Sequence, residues 1–270
     1  MQNTKTLCPY SVYKIYKMAN EEERKITLPT GLIAPSMIDP KLLILYGLPK
    51  VGKTDLLSHL QNALLVDLEQ GTKYLNALKV EVNDIEDLTS VIKQVHAAGK
   101  PYDFAVIDTI SKLEEMMLPI ALEMYKNTPM GSTFEGDDIL SLPNGAGYHY
   151  LRLAFSEWLR KIGYLADRII LVAHVKEAVS DKEGKEVTVT DLQLTGKIKF
   201  TTAAAADGVG YVHRNMNGDL LISFQGSAEL ACGSRVAHLK NKVIKMAEYD
   251  KENNQLTNVN WKAIYPDKLK

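Results

Sequence analysis

Four short apolar runs set the rhythm of the chain, at 41–46 (KLLILY), 63–67 (ALLVD), 102–107 (YDFAVI) and 168–173 (RIILVA). They are near-continuous rather than alternating, as expected of strands covered on both faces in a parallel sheet. Between them the period changes to that of a helix. Ile85, Leu88, Val91, Ile92 and Val95 share one face; Asn83, with Glu86 three positions on, has the form of a capping box, and Gly99 closes the run. Residues 55–61 continue as a helix behind the first strand, 111–126 read as a helix bent near Pro119, and Leu151, Phe155, Trp158, Leu159 and Ile162 mark another. The fourth strand is expected to end at His174, followed by a polar excursion or hairpin over 176–200 with Val187 and Val189 alternating. Residues 208–214 and 220–224 flank Asn217-Gly218, a hairpin signal. The order β-loop-α-β-α-β-α-β predicts an α/β fold: a mostly parallel sheet flanked by helices, with an antiparallel hairpin extending one edge.

Two stretches fall outside this rhythm. Residues 1–40 are mixed, with a charged run at 21–25 and prolines at 29, 35 and 40, and read as a peripheral lead into the first strand. Residues 127–147 carry Pro129, Gly131, Gly136, Pro143, Gly145 and Gly147; such long loops inside compact domains are usually functional or mobile. At 270 residues and 46% hydrophobic, the chain can build one large domain with a substantial core. A formal net charge of −1 leaves no global field for nucleic acid, so any such contact must be a local patch. No apolar run is long enough to span a membrane, and the N-terminus lacks the apolar stretch of a signal peptide. Cys8 and Cys232 are isolated, without zinc spacing. These features together suggest a cytoplasmic protein, in the host cytoplasm if it is virus-encoded.

Candidate chemistry begins directly after the first strand. Gly47-Leu48-Pro49-Lys50-Val51-Gly52-Lys53-Thr54 has the full G-x-x-x-x-G-K-[ST] form, and Asp55 opens the helix behind it. The two glycines allow backbone N–H groups to turn inward around a phosphate chain. Lys53 would reach the β- and γ-phosphates, and the Thr54 hydroxyl would ligate Mg²⁺. With ordinary residue frequencies, the four fixed positions arise by chance in roughly one chain in a hundred of this length.

Hydrolysis of a nucleotide also needs a carboxylate near the metal and a group that orients water, placed at the carboxyl ends of strands. Asp108 closes the third apolar run and suits the metal; as the residue before Thr109 it also suits a helix cap. Glu69, just past the second run, is a candidate to polarise water, with Asp67 competing and a plain surface carboxylate the alternative. His174, at the end of the fourth run, is a candidate contact to the γ-phosphate or the water, or a strand-end histidine satisfied by its neighbours.

In this order of elements the chain resembles the RecA/RadA-like P-loop ATPases, in particular the compact phage-encoded, recombinase-type ATP-binding proteins of AAA type. In that family the second strand leads into a D-x-E element, here Asp67-Leu68-Glu69, so the resemblance favours Glu69 over Asp67. Asp108-Thr109 matches the second nucleotide motif, and His174 the polar residue that senses the γ-phosphate. Lys240-Asn241-Lys242, downstream of Arg235, stands where the family carries a Lys-Asn-Arg element acting across a subunit interface; Lys in the third place lacks the bidentate fork of Arg. The resemblance covers 35–245 as a RecA-like core and leaves 1–34 as a peripheral segment and 246–270 as a C-terminal tail.

Family members bind DNA through loops corresponding to 127–147 and 176–200. The first has acids at 135, 137 and 138, and in the second lysines at 176, 182, 185, 197 and 199 are offset by acids at 177, 181, 183, 186 and 191. Residues 235–245 carry Arg235, His238, Lys240, Lys242 and Lys245 with no acid between them, a stretch fit to face phosphate of DNA or of a neighbour's nucleotide. Tyr148, His149 and Tyr150 suit either base stacking or packing at a helix start. The expectation is an ATP- and Mg²⁺-dependent ATPase that forms a homo-oligomeric ring or filament. It would act on single-stranded DNA in recombination, annealing or replication, with a single-strand binding protein as a further partner and no membrane contact. Lys53, Glu69, Asp108 and His174 would be catalytic, Thr54 and Asp108 would hold metal, and Arg235, Lys240 or Lys242 would act in trans or on DNA. Two alternatives stand beside it: a small-molecule or nucleotide kinase, against which the lack of arginines in 127–147 counts, and a non-catalytic, nucleotide-gated assembly protein.

Overall fold

The strands assemble around β1 (Leu42–Gly47), which the computed structural model places between β5 (Arg168–Lys182) and β7 (Gly208–Arg214), parallel to both. The structure describes residues 27–182 and 185–270, with side chains except at 178–187. Residues 1–26, including Cys8 and most of the expected peripheral segment, lie outside the described residues, as do residues 183 and 184 and the side-chain charges at 181, 182, 185 and 186. Two compact units are distinguished, Met1–Ser36 and Met37–Lys270. In the first, residues 27–36 form no helix or strand.

In the second unit the parallel set continues outward from β5 through β4 (Phe104–Asp108), β2 (Ala63–Asp67) and β3 (Lys79–Glu81). On the other side of β7 the sheet turns antiparallel, through β8 (Leu220–Ser223), β10 (Val243–Asp250) and β11 (Gln255–Thr257). Two further strands branch from this path: β6 (Lys185–Leu192) pairs with β5, and β9 (Gly233–Ser234) with β7. A mostly parallel sheet with an antiparallel edge is the architecture the apolar runs predict.

Alternation within the buried strands divides the core in two. Ile44, Tyr46, Val66, Ala105, Ile107 and Leu171 face one side, which is covered by α2 (Ile85–Ala97), α3 (Ile110–Lys126), α4 (Ala146–Ile162) and α5 (Gly196–Ala205). Leu43, Leu45, Phe104, Val106 and Val172 face the other, against α1 (Lys53–Ser58) and the apolar residues Trp261, Ile264 and Tyr265. Residues 246–270 thus carry core side chains, and the Trp261 indole N–H donates to the Leu56 carbonyl of α1 (3.0 Å).

Several boundaries differ from the sequence reading. α1 stops at Ser58 rather than running to Gln61: the His59 and Leu60 N–H groups bond only three residues back, to Leu56 and Leu57, and the left-handed Asn62 then leads into β2. The cap of α2 is Asp84, not Asn83: its carboxylate accepts the Asp87 N–H (2.8 Å), while Asp87 reaches back to the Asn83 N–H (3.0 Å). The exchange resembles a capping box, except that the return bond from Asp87 goes to the Asn83 N–H and not to that of the cap residue Asp84. β5 does not end at His174; it continues as a long ribbon paired antiparallel with β6, from Val175 opposite Leu192 onward. Of the two readings of this polar segment, excursion or hairpin, the structure has the hairpin; outside the layered core both faces of a ribbon can be polar. The 127–147 segment is pinned at its end by the buried side chains of Ile139 and Leu142.

Candidate active site

Four neighbouring strands, in the order β2-β4-β5-β1, deliver their carboxyl ends to one rim, where Asp67 is opposite Asp108 and Gly47 opposite His174. The phosphate loop leaves β1 at Gly47, where an added Cβ would stand 2.5 Å from the Val212 carbonyl oxygen. It re-enters helix after Gly52, whose φ of 111° is open to glycine and strained for other residues. Lys53 is 6% exposed, and its ammonium donates to the carbonyls of Gly47 (2.9 Å) and Leu48 (3.0 Å). Burial lowers its pKa, opposed by the charges of Asp108 and Glu69. Leu48, Pro49 and Lys50 are exposed along the loop, and Asp55 lies in the first turn of α1.

The Thr54 hydroxyl donates to Asp108 Oδ2 at 2.6 Å. Asp108 is buried, and burial pushes its carboxyl above the usual range; the Thr54 bond and the Lys53 charge pull the other way, and Glu69 adds to the rise. The cap of α3 is Thr109 rather than Asp108, its hydroxyl oxygen accepting the Lys112 N–H (3.2 Å). The same hydroxyl donates to Glu69 Oε1 at 2.6 Å. His174 Nε2 lies 3.0 Å from Glu69 Oε1 and 3.1 Å from Oε2. An ionised carboxylate only accepts, so Nε2 is the donor in this pair, and the buried Nδ1 has no hydrogen-bond partner among the described residues.

Asp67 and Glu69 are sharply different. The Asp67 carboxylate accepts the Glu69 N–H (3.0 Å), the Gly71 N–H (3.2 Å), the Thr72 N–H (2.8 Å) and the Thr72 hydroxyl (2.7 Å). Burial alone would raise its pKa; those bonds outweigh it and hold the carboxyl below the usual range. Asp67 is the clasp of the turn that carries Glu69, whose own side chain stays 36% exposed and faces the rim.

For a divalent cation the protein's own donor set is small. Among the described residues no group of three or more His, Cys, Asp or Glu could hold one. Thr54 and Asp108 offer two oxygens side by side, which suits Mg²⁺, an ion that keeps several waters and borrows substrate phosphates.

The C-terminal basic residues are elsewhere. Arg235 donates to the Ala204 carbonyl, and its N–H to the Asp207 carbonyl; the Asp207 carboxylate in turn accepts the N–H groups of Lys41 and Leu42 at the start of β1. Arg235 therefore stands at the end of β1 remote from the loop. Lys240 is exposed and lines a cleft of about 730 Å³ with Arg235. Lys242 is exposed just before β10, three strands from β1. His238 bonds the Ile264 carbonyl and Lys245 pairs with Asp219 and Glu248, so the apparent basic stretch is dispersed. Sequence reasoning overlooked Thr109 as the link to Glu69, and Ser111, which accepts the His174 N–H and donates to the Gln193 carbonyl. It also overlooked Arg214, which donates to the loop from β7; the only signal was a cation closing a strand before a hairpin turn.

Residues 39–243 match the family model described as an AAA domain. Comparison with curated proteins found no match. Among solved structures, the chain is similar to a RadB recombinase, at 14% identity over 77% of this chain and 89% of that one, with a TM-score of 0.39. It is also similar to a KaiC-like protein from the hyperthermophilic archaeon Pyrococcus horikoshii OT3, at 14% identity over 80% of this chain and 88% of that one, with a TM-score of 0.39.

Proposed function

The chain belongs to the AAA-domain family, and from that premise we propose that it is a Mg²⁺-dependent ATPase that assembles with copies of itself and acts on single-stranded DNA. One observation carries the reading: Lys53, the Thr54–Asp108 pair and the Glu69–Thr109–His174 cluster converge at the ends of four adjacent strands. Phosphoryl transfer asks the protein mainly for positioning and charge. Lys53 would exchange its loop carbonyls for the β- and γ-phosphates. Thr54 and Asp108 would hold Mg²⁺, which supplies charge neutralisation at the phosphates. Glu69, fixed by Thr109 and His174, would orient the attacking water and take its proton. His174 sits where β5 leaves the sheet for its ribbon with β6, and its main chain is tied through Ser111 to Gln193, so a change at Glu69 has a short route to that ribbon.

Support for DNA comes from a groove of about 560 Å³ between α4 and α5, where the described lining includes Tyr148, His149, Arg152 and Lys197 and no carboxylate. Tyr150 packs on Tyr125 instead, leaving Tyr148 as the aromatic free to stack. Arg235 stands at the end of β1 remote from the loop and Lys240 lines the same cleft, so as nucleotide-phosphate ligands they would serve another protomer. A recombination, annealing or replication role, a phage origin and a single-strand binding partner belong to the same reading.

The test is phosphate release from MgATP with and without single-stranded DNA, beside Lys53→Ala. Slow basal release that DNA accelerates, lost in the variant, is expected. ATP binding without release under either condition would favour a nucleotide-gated assembly protein, and release appearing only with a small phosphate acceptor would favour a kinase.

A further inference from the structure

We propose that Arg214 is a positioning residue of the phosphate loop, one that fixes the orientation of a single peptide in it; this rests on reading the loop as a nucleotide site. Arg214 is the last residue of β7, the parallel neighbour of β1. Its Nε donates to the Val51 carbonyl at 2.9 Å and its Nη1 to the Gly218 carbonyl at 2.7 Å. The guanidinium also lies over the Tyr249 ring, 5.1 Å from the centroid. Nη2 occupies the space beside Gly52, 2.9 Å from where a Cβ would be. The cation is thus clamped between the β7–β8 turn, β10 and the loop.

The Val51 carbonyl and the Gly52 N–H belong to the same peptide. In a trans peptide they point in opposite directions. A carbonyl held outward by Arg214 therefore sends the Gly52 N–H toward the interior of the loop, where phosphate oxygens are bound by inward N–H groups. Such a pin has a purpose here. Gly52, with φ of 111°, has no side chain to resist rotation of that peptide, and a flipped peptide would present a carbonyl dipole to an anion. Lysine could supply charge but not the fork that engages Val51 and Gly218 together. Arg214 acts through the backbone, so its effect belongs to the phosphates common to ADP and ATP rather than to the γ-phosphate alone.

The experiment is equilibrium binding of MgADP and MgATP to the full chain carrying Arg214→Lys or Arg214→Ala, with thermal midpoints measured without nucleotide. Affinity for both nucleotides is expected to fall about tenfold or more in Arg214→Ala and by less in Arg214→Lys. Turnover at saturating MgATP should change less than threefold, so that KM moves and kcat does not. Wild-type MgADP affinity in both variants overturns the proposal, as does a loss confined to ATP. A drop in Arg214→Lys affinity that only accompanies an equal loss of folded protein overturns it as well. If the unaltered chain binds no MgADP, the nucleotide reading fails and the inference with it; if it binds and Arg214→Ala binds equally well, the inference alone fails.

Discussion

Asp67 and Glu69 are two residues apart, yet their surroundings assign them different roles. The Asp67 carboxylate accepts four bonds from turn N–H groups and Thr72, whereas Glu69 is met by Thr109 at Oε1 and by His174 at both oxygens and stays partly exposed to the rim. Glu69→Gln should keep MgATP binding and lower turnover by about a hundredfold or more, as expected for loss of a group that takes a proton. An active Glu69→Gln beside a folded but inactive Asp67→Asn would reverse the assignment. Asp67→Asn should instead destabilise the chain by about 1–3 kcal/mol, since an amide N–H would meet donors already aimed at it. Because the folded-state pKa of Asp67 lies below the unfolded value, its contribution to stability is complete above a pH of about 4 and is lost as pH falls through the folded pKa. Urea midpoints across that range should fall less steeply with acid in Asp67→Asn than in the unaltered chain. The sequence marks the loop glycines and Lys53 as candidates by their spacing, and Asp108 by the apolar run it closes. The roles of Thr109 and Arg214 are not so marked: their value comes from strands that meet only in space, β4 beside β2 and β7 beside β1.

Among the elements, those buried on both faces were legible, because a continuous apolar run is stable only where both of its faces are covered. The β5–β6 ribbon was half legible: alternation at Val187 and Val189 pointed to a hairpin, but not to its being a direct continuation of β5, because the register is specified by partners across the ribbon rather than by composition. Asp84 displaced Asn83 as a cap by a single residue, a choice that propensity leaves nearly degenerate. The junction between the 127–147 segment and α4 depends on a close approach that sequence cannot show: a Cβ on Gly147 would stand 1.9 Å from the Ile139 carbonyl oxygen. Gly147→Ala should therefore displace the turn and cost at least about 1–3 kcal/mol. With the Tyr148–Arg152 face of α4 starting there, single-stranded DNA affinity should fall while basal ATPase is retained. Thermal denaturation and fluorescence anisotropy with a labelled oligonucleotide check the two parts separately.

For the molecule as a whole, the cations that lie away from the chain's own phosphate loop decide between an isolated site and a shared one. Reversing Lys240 and Lys242 to Glu should reduce ATPase more than ATP affinity, because a cation supplied by a neighbour meets the charge that develops in the transition state. Mixed with Lys53→Ala protein, this variant should regain part of its activity; co-assembly by sedimentation with no recovery at any ratio would exclude a shared site. Residues 246–270 were left as a tail because the family resemblance stops at 245, and in the structure Trp261, Ile264 and Tyr265 of this stretch close the face of the sheet opposite the long helices. Trp261→Ala should cost about 3–5 kcal/mol, read as a lowered thermal midpoint, and should weaken nucleotide binding through α1. The placement of β1 has a consequence for the birth of the protein. Both strands that flank it are encoded more than a hundred residues downstream, so at about 5–20 residues per second a nascent chain presents Leu43, Ile44, Leu45 and Tyr46 without sheet partners for on the order of ten seconds. On the ribosome this strand is a target for chaperones, and a chain stalled before residue 208 should remain unable to retain nucleotide.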